Sequence, residues 1–163
     1  MKGREKMQLK TQTDYAIRVL LYLAENKSCV SRKEMCTNLG IAETYLTVIV
    51  KVLRQKGWVS STYGPNGGYY LICNPQNISL LDIMDVTEDS IKMNRCLEED
   101  QYCSRNAVDY CPVHKMYDFF QDYFENCFSS VTIQDIIDPD SSVMKKKYLK
   151  ICNQEEGERE TCQ

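Results

Sequence analysis

The chain has 163 residues, of which 43% are hydrophobic, and a formal charge of -3, enough for one small core with an appendage. No run approaches the roughly 18 apolar residues of a membrane span, and the charged opening Met1-Lys2-Gly3-Arg4-Glu5-Lys6 lacks the apolar stretch of a secretory signal, so a cytoplasmic protein without membrane contact is expected. Nine cysteines, an odd number, argue against a complete disulfide framework and for metal or redox chemistry.

Residues 1–70 hold 11 Lys+Arg against 5 Asp+Glu, whereas residues 71–163 hold 9 against 18. A basic first half fits a polyanionic partner, although an unevenly solvated surface gives the same numbers.

Between 13 and 25, Tyr15, Ala16, Val19, Leu20 and Leu23 recur at helical spacing, with Thr11 and Asp14 as a local cap. Ser31-Arg32-Lys33-Glu34 has the form of a capping box and opens a short helix that stops near Gly40. A longer helix over 42–56 places Leu46, Ile49, Val50 and Leu53 on one face, and Gly57 ends it. Two β-prone runs, 58–63 and 69–73, flank Gly64-Pro65-Asn66-Gly67-Gly68, a strong hairpin signal. That order is the order of a winged helix-turn-helix.

Ser79 caps a short helix through Val86, after which residues 88–110 are polar and aperiodic, too long for an ordinary connection. Pro112 then opens a helix whose apolar stripe includes Val113, Met116, Tyr117, Phe120, Tyr123, Phe124, Cys127 and Phe128, more than one small core needs, so it predicts a dimer interface, the alternative being that it folds back on its own domain. Thr132 and Asp135 cap a last short helix carrying Ile133, Ile136 and Ile137. The expected fold class is mainly α with a small β wing: a winged helix-turn-helix plus a long C-terminal dimerisation helix. The expected division is a DNA-binding domain at 7–87, a cluster-binding loop at 88–111, the dimerisation helix with its terminal short helix at 112–138, and a flexible tail at 139–163.

In a helix-turn-helix the second helix enters the major groove, braced by the first. Arg32 opens the bracing helix, and the outward positions of the second are Glu43, Thr44, Tyr45, Thr47, Val48 and Lys51. Hydroxyls and the lysine suit phosphates or base edges, while Glu43 either accepts from a cytosine or faces the helix dipole. The wing, from Tyr63 through Gly64, Pro65, Asn66 and Gly67, would approach the minor groove or backbone, or serve only as a turn.

Cys96, Cys103, Cys111 and His114 are spaced six, seven and two residues apart. Thiolates, with an occasional imidazole, are the ligands of iron-sulfur clusters, and a metal would organise a loop that has no core. His114 is equally readable as an ordinary helical histidine, and three cysteines with one histidine also satisfy zinc or form a metal-free thiol switch. Cys29, Cys36, Cys73 and Cys127 fall inside predicted elements as small core residues, while Cys152 and Cys162 lie in the tail. No oxyanion motif or phosphate loop accompanies Cys111 and His114, so an enzyme is not expected.

Thr13-Asp14-Tyr15-Ala16, Tyr45-Leu46, Gly64-Pro65-Asn66-Gly67-Gly68-Tyr69 and Cys111-Pro112-Val113-His114 together resemble the Rrf-two family of transcriptional regulators, over about residues 7–138. The resemblance implies a homodimer, binding to a double-stranded DNA operator, and an iron-sulfur cluster on the three cysteines. His114 matches the fourth ligand of [2Fe-2S] members, the favoured type, and Asp14 matches an N-terminal aspartate that reaches a [4Fe-4S] cluster in nitric-oxide sensors of the family. Two departures stand out: Tyr63 occupies a position where arginine is common, and the cysteine spacing is longer than in [2Fe-2S] members. The function implied is a regulator, acting as a repressor, that senses iron-sulfur status, redox state or nitric oxide.

Overall fold

The structure, a computed structural model, describes residues 8–64 and 67–138; Pro65, Asn66 and the tail expected at 139–163 lie outside the described residues. Helix α1 (Thr11–Asn26) turns Ala16, Val19, Leu20 and Leu23 into the core at three- and four-residue spacing. It starts earlier than its sequence signals predict, because its cap is not local. Lys10 is the N-cap and makes no side-chain bond there. The Glu88 carboxylate, 78 residues further on, accepts from the Lys10 N–H at 2.8 Å and also from the Thr13 hydroxyl. A carboxylate there meets unsatisfied N–H groups and the positive end of the helix dipole.

Helix α2 (Arg32–Leu39) starts at Ser31, whose hydroxyl accepts from the Glu34 N–H, and ends at Gly40 in the left-handed conformation. Only half of the expected capping box forms: the Glu34 carboxylate accepts from the Tyr22 hydroxyl at 3.1 Å instead of returning to Ser31. Helix α3 (Glu43–Gln55) buries Leu46, Ile49, Val50 and Leu53, and meets α2 at 110°, within the range of helix-turn-helix motifs.

Strands β1 (Val59–Thr62) and β2 (Gly68–Leu71) form an antiparallel hairpin with Val59 opposite Leu71 and Thr62 opposite Gly68; β1 is one residue shorter at each end than predicted, while β2 starts one residue earlier and ends two earlier. Its base is sewn to the α1–α2 connection by two backbone hydrogen bonds of 2.8 Å between Val30 and Tyr69. That approach requires glycine beside it: a Cβ on Gly68 would stand 2.2 Å from the Val30 carbonyl oxygen.

Helices α4 (Leu80–Thr87) and α6 (Ile133–Ile137) both open with complete capping boxes, Ser79 with Asp82 and Thr132 with Asp135. Their starts pair back to back, with Leu80 N–H donating to Val131 O and Ile133 N–H to Ile78 O, each at 2.9 Å. Ile78, Ile83 and Ile133 are fully buried in the same core as α1 and α3. The chain therefore returns to its first half after α5 (Pro112–Ser130), and α6 packs with the helix-turn-helix core.

Helix α5 buries one side chain, Gln121, while Val113, Met116 and Phe120 of the expected stripe are 49%, 45% and 47% exposed. Cys36 and Cys73 pack against the core as expected, and Cys127 is half-buried. Cys29 is a correction: it is exposed, because it lies in the connection between α1 and α2, where its Sγ sits 3.2 Å from the Thr62 hydroxyl. Among the described residues, no single helix is long and apolar enough to cross a membrane.

Candidate functional site

The solvent face of α3 carries Glu43, Thr44, Tyr45, Thr47, Val48 and Lys51, all exposed. Amphipathic spacing produces this face, since Leu46, Ile49, Val50 and Leu53 hold the opposite side in the core. Tyr45 is braced by the edge of Tyr15, with ring centroids 6.2 Å apart. The Arg18 guanidinium lies 5.8 Å over Tyr15 and pairs with Asp14 at 2.7 Å. Asp14 thus joins a chain of contacts that ends at the tip of α3.

The Glu43 carboxylate accepts from the Arg32 guanidinium at 2.9 Å, and Arg32 lies 3.2 Å from the Tyr69 hydroxyl. These bonds, Glu43 first, push the Arg32 pKa further up and keep it cationic. They also tie α2 to α3 and the wing. Thr47 donates its hydroxyl to the Glu43 carbonyl at 2.8 Å. On the wing, Tyr63 is 94% exposed and Gly64 adopts φ +113°. The Gly67 N–H closes the turn onto the Gly64 carbonyl at 2.9 Å, and a Cβ on Gly67 would stand 2.5 Å from the Thr62 carbonyl oxygen.

Beyond α4, Asn94 caps a short 3-10 turn, Arg95–Leu97, that presents Cys96, and a second turn, Val108–Tyr110, leads to Cys111 at the N-cap of α5. Pro112 suits the first turn of that helix, which places His114 so that its Nδ1 lies 3.4 Å from the Cys96 Sγ. Cys103 opens a tight turn closed by Asn106 at φ +47°. Backbone N–H groups of Ala107 and then Arg105, with the Arg105 charge and the Asn106 N–H, hold its thiol below the usual range. The donor set, three half-buried thiols and an imidazole, has the chemistry of an iron-sulfur or zinc site. Two of its members are in contact; among the described residues, no group of three or more His, Cys, Asp or Glu gathers where one metal ion could be held.

Sequence reasoning missed what holds this loop. Gln121 is 3% exposed; its Oε1 accepts from the Met93 N–H at 2.8 Å, and its Nε2 donates to the Ile91 carbonyl at 3.1 Å and to the Glu125 carboxylate at 2.7 Å. Lys92 pairs with Glu125 at 2.7 Å and, together with Gln121, holds that carboxyl below its ordinary range. The signal was present: Gln121 is the polar interruption of the helical row Tyr117, Phe124, Phe128.

A 110° helix-turn-helix with a two-stranded wing defines the class of winged-helix DNA-binding proteins. Comparison with known proteins narrows this class. Residues 9–139 match the Rrf2 family, described as iron-dependent transcriptional regulator. The chain is 34% identical over 133 residues to protein aau3 of Rhizobium meliloti, covering 80% of this chain and 85% of that protein. It is 28% identical over 134 residues to the HTH-type transcriptional regulator NsrR of Bacillus licheniformis, covering 80% and 92%. Among solved structures it resembles T. potens IscR, with a TM-score of 0.64 and 25% identity over 85% of this chain and 92% of that one. It also resembles CymR, the global cysteine regulator of B. subtilis, with a TM-score of 0.61 and 25% identity over 81% and 97%. The chain belongs to the Rrf2 family of transcriptional regulators, which bind DNA and are not enzymes.

Proposed function

We propose that this regulator is a homodimeric repressor that binds a double-stranded DNA operator and senses iron-sulfur status, redox state or nitric oxide through a cluster on Cys96, Cys103 and Cys111. His114 is the favoured fourth ligand and Asp14 its competitor. The observation that carries this reading is the 3.4 Å contact between His114 Nδ1 and Cys96 Sγ, which brings two donors 18 residues apart together at the start of α5. When bound, a cluster supplies a centre that oxidation or nitric oxide alters, so that its ligand bonds are made or lost with the signal.

The protein's own residues give such a change two routes outward. At the near end of the loop, Glu88 holds the N-terminus of α1, and Asp89 pairs with Lys10 at 2.7 Å. One turn further along α1, Asp14, Arg18 and Tyr15 lead to Tyr45. At the far end, α5 carries the exposed stripe Val113, Met116 and Phe120, whose match is the same stripe on a second copy, and dimer geometry sets the spacing of operator half-sites. Contact with DNA is assigned to Arg32, Thr44, Tyr45, Thr47, Val48 and Lys51, together with the wing.

Spectroscopy of the anaerobically reconstituted protein, with and without nitric oxide, tests the reading. A coloured protein containing iron and sulfide is expected, its spectrum lost in Cys96→Ala. Whichever of His114→Ala and Asp14→Ala alters the spectrum identifies the fourth ligand. Stoichiometric zinc without sulfide would replace this reading with a zinc-stabilised module, and a colourless, metal-free protein would leave a thiol switch.

A further inference from the structure

We infer that the cleft between the wing and the last turn of α3 grips one backbone phosphate of duplex DNA, with Arg54 as the residue that contacts it; the inference rests on the DNA-binding reading above. The cleft has a volume of about 400 Å³ and is walled by Arg32, Arg54, Tyr63 and the wing backbone at Gly64 and Gly67. Among the described residues, no carboxylate lines it. Arg32 is paired with Glu43, so the uncompensated charge the cleft presents is that of Arg54, and a concave surface with an unpaired guanidinium suits an anion.

The two arginines are not equivalent. Arg32 is already committed to Glu43 and Tyr69. Arg54 is exposed, and among the described residues its guanidinium has no hydrogen-bond or ion-pair partner. Its five donors are therefore available as a planar fork, the geometry that matches two oxygens of a phosphate. The wing hairpin, residues 59–71, contains no lysine or arginine. A phosphate beside the wing must draw its cation from the helices.

Position along α3 assigns Arg54 to the backbone rather than to the bases. It lies nine residues beyond Tyr45, which at 1.5 Å per residue is about 13 Å along the axis. The major groove is about 12 Å wide. With the first turns of α3 at the base edges, Arg54 stands at the bank of the groove, where phosphates line the wall. A phosphate contact fixes register without reading sequence.

The test uses the full chain and a labelled mixed-sequence 30-base-pair duplex, titrated at several salt concentrations. Arg54→Gln should weaken binding about tenfold at low salt and reduce the slope of log K against log salt by about 0.9, the release of one counterion. Arg54→Lys, which keeps the charge but not the fork, should keep the slope and recover only part of the affinity. Unchanged melting temperature of both variants is expected from an exposed, unpaired side chain. Arg54→Gln binding the duplex with wild-type affinity and slope overturns the assignment. So does saturable binding of inorganic orthophosphate that Arg54→Gln abolishes while duplex binding stays intact, because the cleft would then serve a free anion. A wild-type protein that binds no duplex defeats the underlying DNA-binding reading as well, and is recognised by the wild type failing alongside the variants.

Discussion

In the DNA-reading half, Val19, Leu20, Met35, Leu46 and Leu53 are fully buried and belong to one continuous core; in α5, nineteen residues bury one side chain, and that side chain is a glutamine. The first region is stabilised by apolar burial within its own chain. The second is attached by hydrogen bonds to a loop and by packing against α4, and leaves Val113, Met116 and Phe120 of its apolar stripe exposed. In the homodimer proposed above, a second copy covers the exposed part of that stripe, and a change at the loop would reach this interface without disturbing the core.

The sharpest way to break this contrast is to shorten one apolar side chain in each region. Leu20→Ala is expected to cost about 2–5 kcal/mol in urea unfolding, whatever the protein concentration. Phe120→Ala is expected to lower stability only where the protein associates, so that its effect grows with concentration and its sedimentation shifts toward the monomer. A Phe120→Ala cost that is the same at every concentration would mean that α5 folds back on its own chain.

A smaller effect is expected at the loop. Gln121→Ala leaves the Met93 N–H and the Ile91 carbonyl without their partner, a loss of about 1–3 kcal/mol of local stability. Hydrogen exchange should speed up at Met93 while amides in α1 and α3 stay protected. Alkylation of Cys96 in the metal-free protein should also accelerate, because the turn that holds it against His114 is no longer anchored. The Glu125–Lys92 pair flanking Gln121 gives a control. The folded carboxyl is held below its ordinary value of about 4.3, so its contribution is complete above that pH and is lost as pH falls through the lowered value. The protection factor at Met93, its exchange corrected for the intrinsic pH dependence of amide exchange, should therefore not change between neutral pH and mild acid above that value.

The difference between the regions also explains what could be read from the sequence. Spacing placed Leu46, Ile49, Val50 and Leu53 inside and Tyr45, Thr47 and Val48 outside, because one helix periodicity decides both. The Ser79 and Thr132 caps were legible because a capping box is contained in four residues. Contacts distant in sequence were not. Gly68 is required by Val30, Gln121 is paired with residues about thirty positions away, and Arg54 gains meaning only from the cleft the wing makes beside it. Cys29 was misplaced for a related reason, since a cysteine three residues past a helix end gives no periodic sign of facing solvent.

The cap of α1 is the finest of these long-range contacts, and it joins the two regions. Glu88 accepts from the Lys10 N–H and from the hydroxyl of Thr13, which also meets the Thr87 hydroxyl at 2.8 Å. Replacing it with alanine removes the helix cap, at a cost of about 0.5–2 kcal/mol. If the cap served only α1, Glu88→Ala would lower stability and leave the loop untouched. Because Glu88 is also where the loop begins, we expect two effects together: faster exchange at the first amides of α1, and a weaker change in operator binding between the metal-loaded and metal-free protein. Glu88→Gln, which keeps an acceptor but not the charge, should recover part of both. Recovery of α1 protection with no recovery of metal-dependent binding would separate the cap from the signal and leave α5 as the sole route between the loop and DNA.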